Sequence, residues 1–185
     1  MSRTWVALLR GINVGKAKRV AMADLRAVIE ALGYTNVRTL LNSGNAVFES
    51  TRRLRRNAAE ELRDALETRT GVSSRFILRS RDELVAVMDS NPLVRLASDY
   101  SRLFALFLAD PADVAKANAL HVRSWKPEGV APGPGVIHIW CPNGLLESPA
   151  MDAFGKAFGD AVTVRNWATV TKLMALVESS AKARA

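Results

Sequence analysis

Cysteine and histidine are scarce in this chain: of its 185 residues, one is cysteine and two are histidine. Cys141 has no partner for an internal disulfide bond, which is typical of proteins from a reducing compartment. His121 and His138 lie far apart, and no H-x-x-x-H or C-x-x-C spacing is present. Because zinc sites need such clusters of ligands, the sequence predicts no metal site.

Long apolar runs are also missing. The longest wholly apolar run, residues 103–109, is far shorter than the roughly 20 residues that cross a membrane. Arg3 and Arg10 enclose too few uncharged residues for the core of a signal peptide. An apolar fraction of 49% with 24% charged residues excludes a disordered or fibrous protein. The sequence therefore predicts a soluble cytoplasmic protein that does not associate with a membrane.

Positive charge is in excess, and the excess is confined to one half of the chain. The chain carries 26 Lys and Arg against 18 Asp and Glu, a formal net charge of +8. Residues 1–80 hold 15 basic and 7 acidic residues, whereas residues 81–185 hold 11 of each. Residues 10–19 and residues 52–56 contain basic residues and no acidic ones. Such concentrated charge favours anionic partners, although Arg-rich proteins without such partners are common.

The first half shows the pattern of a ferredoxin-like fold. Apolar residues recur at helical spacing in two segments, and an Asn-Ser-Gly-Asn turn between two short strands is a strong hairpin signal. The predicted elements are a strand at 4–9, a helix at 22–32, strands at 36–41 and 46–49, a helix at 54–66 and a strand at 75–78. The order β-α-β-β-α-β predicts two helices on one antiparallel sheet.

The second half also mixes strands with helices, but it is less regular, and the chain as a whole shows no internal repeat in its sequence. The predicted elements are a helix at 80–91, a strand at 103–108, a helix from 110, a loop at 126–135, a strand at 136–141, a helix at 148–159, a strand at 162–164 and a helix from 167. We therefore predict an α+β protein in which a ferredoxin-like half, 1–80, and a second α+β half, 81–185, are packed together and share one core.

Strand directions bring two of the motifs to one end of the first sheet. The loop at residues 10–20 and the hairpin turn lie there, whereas residues 52–56 lie at the opposite end. Glycine permits close backbone approach, basic residues supply charge, and a helix N-terminus favours an anion. The candidate ligand-binding residues are Arg10, Gly11, Asn13, Gly15, Lys16, Asn42, Ser43, Gly44 and Asn45. Glycine, asparagine and serine are also the expected residues of plain turns, and the spacing matches no nucleotide-binding fingerprint.

Three motifs run in order through nearly the whole chain. They are Leu8-Leu9-Arg10-Gly11-Ile12-Asn13-Val14-Gly15, then Asn42-Ser43-Gly44-Asn45 followed by Val47-Phe48, and then Val164-Arg165-Asn166-Trp167 followed by Thr169-Val170. In these motifs the chain resembles domain-of-unknown-function family 1697. The resemblance implies a small α+β protein with ferredoxin-like parts, and it implies no activity. Members typically have a second glycine where this chain has Lys16.

The third motif can also be interpreted from its own residues. Asn166 is a predicted N-cap of the last helix, and Trp167 begins the apolar face of that helix. Arg165 lies between a strand and that cap, so it is a further candidate ligand-binding residue, or else it pairs with a carboxylate.

The sequence contains no recognisable catalytic constellation, and it identifies no reaction, cofactor or oligomeric state. Strand alternation places His138 and Cys141 on opposite faces of their strand, and Ser43 lacks the surroundings of a catalytic serine. The favoured hypothesis is that the loop and the hairpin bind a small anionic ligand, phosphate-bearing or nucleotide-like. One alternative is a nucleic-acid-binding module that uses the basic first half, although aromatic residues for base stacking are few there. The other is a non-catalytic interaction protein.

Overall fold

The computed structural model describes residues 3–15 and 18–182, and the chain divides into two compact units. The first unit comprises the described residues up to Asp82 together with those from Leu173 onward, and the second comprises Glu83–Lys172. Each unit contains a four-stranded antiparallel sheet and a cluster of buried apolar side chains. The predicted α+β class is confirmed.

The first unit has the ferredoxin-like topology. Its elements are β1 (Arg3–Leu9), α1 (Met22–Ala31), β2 (Thr35–Leu40), β3 (Asn45–Ser50), α2 (Ala58–Thr70) and β4 (Phe76–Ser80). The strands lie in the order β2-β3-β1-β4, and each neighbouring pair is antiparallel. The β-α-β-β-α-β order predicted for the first half is confirmed.

Alternation along the strands decides which side chains enter the apolar cluster of this unit. Ala7 and Leu9 of β1 join Phe48 of β3 in the cluster, because residues two apart on a strand share a face. The helices contribute buried residues three or four positions apart, namely Leu25, Val28 and Ile29 from α1 and Leu62 and Leu66 from α2. The helical spacing read from the sequence therefore corresponds to the buried face of both helices.

The second unit repeats this topology with different side chains and connections. Its elements are α3 (Arg81–Asp89), which begins at the boundary, 3-10 helices at Pro92–Arg95, Pro111–Ala117 and Gly159–Ala161, β5 (Leu103–Leu108), α4 (Asn118–His121), β6 (Gly129–Gly133), β7 (Val136–Trp140), α5 (Pro149–Phe158), β8 (Val162–Asn166) and the start of α6 (Trp167–Lys182). The strand order β6-β7-β5-β8 matches the first sheet when the strands of each unit are numbered from its start. The sequence shows no internal repeat, yet the two units have the same strand order.

The loop predicted at residues 126–135 is a partial error, because β6 lies within it. β6 pairs antiparallel with β7, and Pro132 lies opposite Ile137. Proline and glycine disfavour the interior of a sheet, but β6 is an edge strand. An edge strand has no second neighbour that requires the missing N–H of proline, so the residue pattern of a loop is compatible with a strand here.

The C-terminal helix α6 contributes its last turns to the first unit. Arg38 of β2 donates hydrogen bonds to the carbonyl of Leu176 at 2.7 Å and to the hydroxyl of Ser179 at 3.0 Å. These bonds attach the last turns of the helix to the edge strand of the sheet.

Within residues 3–15 and 18–182, no helix combines the length and the apolar character that crossing a membrane requires. The cytoplasmic location inferred from the single cysteine stays a prediction.

His138 lies in β7 with its side chain fully buried. Its Nε2 is 3.4 Å from the hydroxyl of Ser90, and its ring meets that of Trp167 edge to face, with centroids 5.6 Å apart. Its Nδ1 has no hydrogen-bond partner among the described residues. Because an imidazolium would lose its hydration here, burial lowers the pKa of His138 from 6.5 to about 4.

The buried imidazole should make the protein less stable in acid. Between pH 6.5 and about 4, the unfolded state binds a proton at His138 and the folded state does not. This contribution is fully present above pH 6.5 and is lost as the pH falls to about 4, with a total of roughly 3 kcal/mol. H138Q should therefore flatten the pH dependence of the unfolding free energy, measured by urea denaturation between pH 4 and 7. H121Q, at an exposed histidine, is the control, and an unchanged slope in H138Q would contradict the assignment.

Candidate functional site

Three connections of the first unit meet at one end of its sheet. The register places Leu8 opposite Asn45 and Leu9 opposite Phe76, so β1 ends where β3 and β4 begin. The connections at this end are residues 10–21, residues 41–44 and residues 71–75. The loop and the hairpin turn thus share one end, as the strand directions indicate. The third connection was not among the predicted site segments, although the antiparallel pairing of β4 with β1 requires it to lie at this end.

This end, which we call the basic end, carries positive charge without compensating acids in its connections. The three connections contain no Asp or Glu and five basic residues, namely Arg10, Lys16, Lys18, Arg19 and Arg75. Lys18, Arg19 and Arg75 are exposed and Arg10 is half-buried, whereas Lys16 lies outside the described residues. The backbone N–H of Arg10 donates to the carbonyl of Arg75 at 3.0 Å, which places these two basic residues side by side.

The loop at residues 10–21 is held in shape by Asn13. Its amide group donates to the carbonyl of Val20 and accepts from the N–H of Val20, both at 2.9 Å, and it also donates to the carbonyl of Asn42 at 2.7 Å. Its backbone N–H donates to the carbonyl of Lys18. Asn13 was predicted as a ligand-binding residue, but its side chain bonds to the protein backbone and attaches the loop to the hairpin. These bonds hold the loop in shape, and ligand binding by Asn13 stays a prediction.

Two hairpin residues also serve the backbone. The N–H of Leu9 donates to the carbonyl of Gly44 at 2.8 Å, and Gly44 has φ +76°. A Cβ at Gly44 would lie 2.7 Å from the Cβ of Leu9, closer than side-chain atoms approach one another. Asn45 is fully buried and donates to the carbonyl of Leu40 and to the hydroxyl of Ser43, both at 2.9 Å. Gly44 and Asn45 therefore close the turn.

The other predicted residues of this end are placed where a ligand has access. Gly11, Gly15, Asn42 and Ser43 are exposed. Gly11 and Gly15 both adopt positive φ, with values of 62° and 63°. Gly11 and Gly15 belong to the loop that Asn13 holds, and Asn42 and Ser43 belong to the hairpin turn to which Asn13 attaches it.

The N-terminus of α1 opens at the basic end without a side-chain cap. Its N-cap residue is Ala21, which has no side-chain acceptor, so N–H groups of the first turn are left for another partner. Asp24 lies in the first turn, but its carboxylate accepts a hydrogen bond from Arg69 of α2 at 2.8 Å. The one acid of that turn is therefore engaged by a cation, and the positive end of the helix dipole adds to the charge of the loop.

Arg165 belongs to the second unit, where it is buried in β8. Its guanidinium donates to the hydroxyl of Thr163 at 3.0 Å and to the carbonyl of Val164 at 2.7 Å, and burial lowers its pKa to about 10. Arg79 occupies the matching position of β4 and donates to the carbonyl of the preceding residue, Leu78, at 2.8 Å. The same interaction in both units indicates that Arg165 is part of the repeated fold. Asn166 is the predicted cap, and its side chain accepts from the N–H of Thr169 at 2.9 Å.

The nucleophile and metal-ligand candidates do not form a reactive group. Cys141 packs with Ile137 and Ile139 in the apolar cluster, on the face of the sheet opposite to His138. Burial raises the pKa of the Cys141 thiol to about 11, so it stays protonated near neutral pH. Among the residues that the structure describes, no three His, Cys, Asp or Glu side chains are grouped to hold a metal ion.

Comparison with known proteins identifies the family. The family model described as "Protein of unknown function (DUF1697)" matches residues 1–138. The chain belongs to this family. The matched DUF1697 segment includes the whole basic end, whereas Arg165 lies beyond it. A search of curated proteins finds no match.

The fold of this DUF1697 member is shared with a solved structure. That structure is of the conserved bacterial protein SP0830 from Streptococcus pneumoniae, which is 26% identical in sequence with a TM-score of 0.70. The similarity covers 96% of this chain and 99% of the other. It therefore extends over both units rather than over a single ferredoxin-like half.

Two glycines separate the effect of close packing from that of backbone conformation. Gly11 and Gly44 have similar positive φ, but a Cβ at Gly11 would meet no atom within 4 Å. G11A should lower the unfolding free energy by about 1–2 kcal/mol, the cost of a left-handed alanine. G44A should cost about 1–3 kcal/mol more, because the side chain also displaces Leu9 and Ile12. Urea denaturation at pH 7 measures both variants, and equal losses would show that Gly44 is not required for packing.

Proposed function

We propose that the basic end binds a small anionic, phosphate-bearing ligand. The observation that carries the proposal is the convergence of four described basic residues, Arg10, Lys18, Arg19 and Arg75, on an uncapped helix N-terminus, with no acid in the three connections. Phosphate oxygens accept several hydrogen bonds at once, and Lys, Arg and backbone N–H groups at a helix start are their usual donors in proteins. Asn13 supports this use of the site because it fixes the loop that carries Lys18 and Arg19.

The second unit provides an internal comparison. The connection after β5 is short, and the carboxylate of Asp110 accepts from the N–H of Ala112 at 2.9 Å. At the matching place in the first unit, the longer connection at residues 10–21 supplies Lys and Arg but no acid. In the second unit the chain's own carboxylate satisfies the backbone donor, whereas in the first unit an anion from outside would do so. The repeat thus differs at the point where we place the ligand.

Removal of two exposed cations tests the site. Pyrophosphate is the probe, and its affinity is measured by isothermal titration calorimetry at low salt. K18A/R19A should weaken binding about 10-fold, because two exposed charges together supply about 1.4 kcal/mol. R52A/R53A removes the same charge at the other end of the sheet and should leave the affinity within about 2-fold. An absence of pyrophosphate binding by the parent protein, or equal losses in both variants, would overturn the proposal.

Nucleic-acid binding is the second candidate function, and a separate surface favours it. Four exposed arginines lie in the arginine segment, residues 52–56, which follows β3 at the end of the sheet away from the basic end. The exposed Arg3 of β1 lies opposite Ser50, just before this segment. Arginine pairs with phosphate through two parallel hydrogen bonds, so a row of arginines suits a chain of phosphates.

The salt dependence of binding tests this second candidate. If four phosphates are neutralised, the logarithm of the affinity for duplex DNA should fall with the logarithm of salt concentration at a slope of about −3.6. R52A/R53A should reduce the magnitude of that slope by about 1.8. K18A/R19A is here the control with the same loss of charge, and fluorescence anisotropy of a labelled duplex gives the affinities. A slope that R52A/R53A leaves unchanged would exclude the arginine segment as the contact surface.

A further inference from the structure

Two exposed aliphatic residues belong to the connections of the basic end. Val14 is 72% exposed and Leu41 is 50% exposed. Their neighbours in sequence, Asn13 and Asn42, are joined by the 2.7 Å hydrogen bond between loop and hairpin. The two aliphatic residues therefore belong to the two connections that this bond joins, at an end whose other exposed side chains include Lys18, Arg19 and Arg75.

The backbone conformation of Leu41 is a second indication that its side chain has a role. Leu41 has φ +58°, a left-handed conformation that asparagine and glycine adopt easily and that leucine rarely adopts. A turn under selection for stability alone would have one of those residues here. Unfavourable backbone conformations of this kind persist mainly at functional sites, so an exposed leucine in this conformation indicates a role for its side chain.

We infer that the ligand of the basic end is a nucleotide, with its base against Val14 and Leu41 and its phosphates among Lys18, Arg19 and the N-terminus of α1. This inference rests on the proposed function and adds the apolar part of the ligand to it. An aliphatic surface suits the flat face of the base of a nucleotide, and cations suit the phosphates of the nucleotide. The exposed Asn42, next to Leu41, carries the amide group that commonly pairs with the edge of adenine.

The size of the apolar surface decides against a membrane as its occupant. Membrane-surface helices bury a continuous apolar face of many residues, and stable attachment by lipid chains requires two anchors. Two aliphatic side chains supply far less apolar area than either. Such a small apolar surface suits one ring rather than a bilayer, and charge complementarity with the neighbouring cations requires that the rest of the occupant be anionic.

Comparison of ADP with pyrophosphate tests the inference, because the two share a diphosphate and differ in the nucleoside. By isothermal titration calorimetry at low salt, ADP should bind the parent protein about 10-fold more tightly than pyrophosphate. V14S and L41N should each remove most of that difference while they leave the pyrophosphate affinity within about 2-fold. V122S, at a residue of the second unit that is 81% exposed, is the control and should change neither affinity.

The L41N variant distinguishes a loss of ADP binding from a loss of folding. Because asparagine adopts the left-handed conformation readily, L41N should melt at or above the temperature of the parent protein. Weaker ADP binding by a protein of undiminished stability therefore supports the contact with the base. Equal affinities for ADP and pyrophosphate in the parent would overturn the nucleotide and leave the phosphate site in place. Binding of neither probe would overturn the phosphate site and the nucleotide with it.

Discussion

The amide of Asn13 satisfies both backbone groups of Val20 and the carbonyl of Asn42 at once, and the arrangement of the basic end follows from those bonds. A loop with several left-handed residues has little intrinsic preference for one shape, because the left-handed region is sparsely populated. Bonds from one side chain to two separate segments select a single shape and place Lys18, Val14 and the hairpin in a fixed relation. Gly44 completes this arrangement, since the absence of a side chain lets the turn approach β1.

The repeated topology shows which features belong to the fold and which belong to the site. Both sheets have the same strand order, and in both the last strand contains a buried arginine that donates to the preceding carbonyl. The connections after β1 and β5 differ, because one is long and basic and the other is short and capped by Asp110. Features shared by the two units are explained by folding, so the difference between them is the better guide to function.

Charge is separated along the first sheet into two independent surfaces. The basic end and the arginine segment lie at opposite ends of the strands, and exposed charges beyond about a Debye length, near 8–10 Å at physiological salt, are largely screened from one another. Each surface can therefore be altered without a change in the field at the other. The net charge of +8 describes neither surface by itself, since the second half of the sequence adds no net charge.

The sequence by itself determined the class, the first ferredoxin-like unit and the region of the candidate site, because helical spacing and the Asn-Ser-Gly-Asn turn are local signals. It missed β6, whose proline and glycines are tolerated only because the strand lies at a sheet edge. It also could not separate Asn13 and Asn45, which bond to backbone, from the exposed Asn42. Only the tertiary structure decided that Asp24 pairs with Arg69, because these residues are far apart in sequence and the fold brings them together.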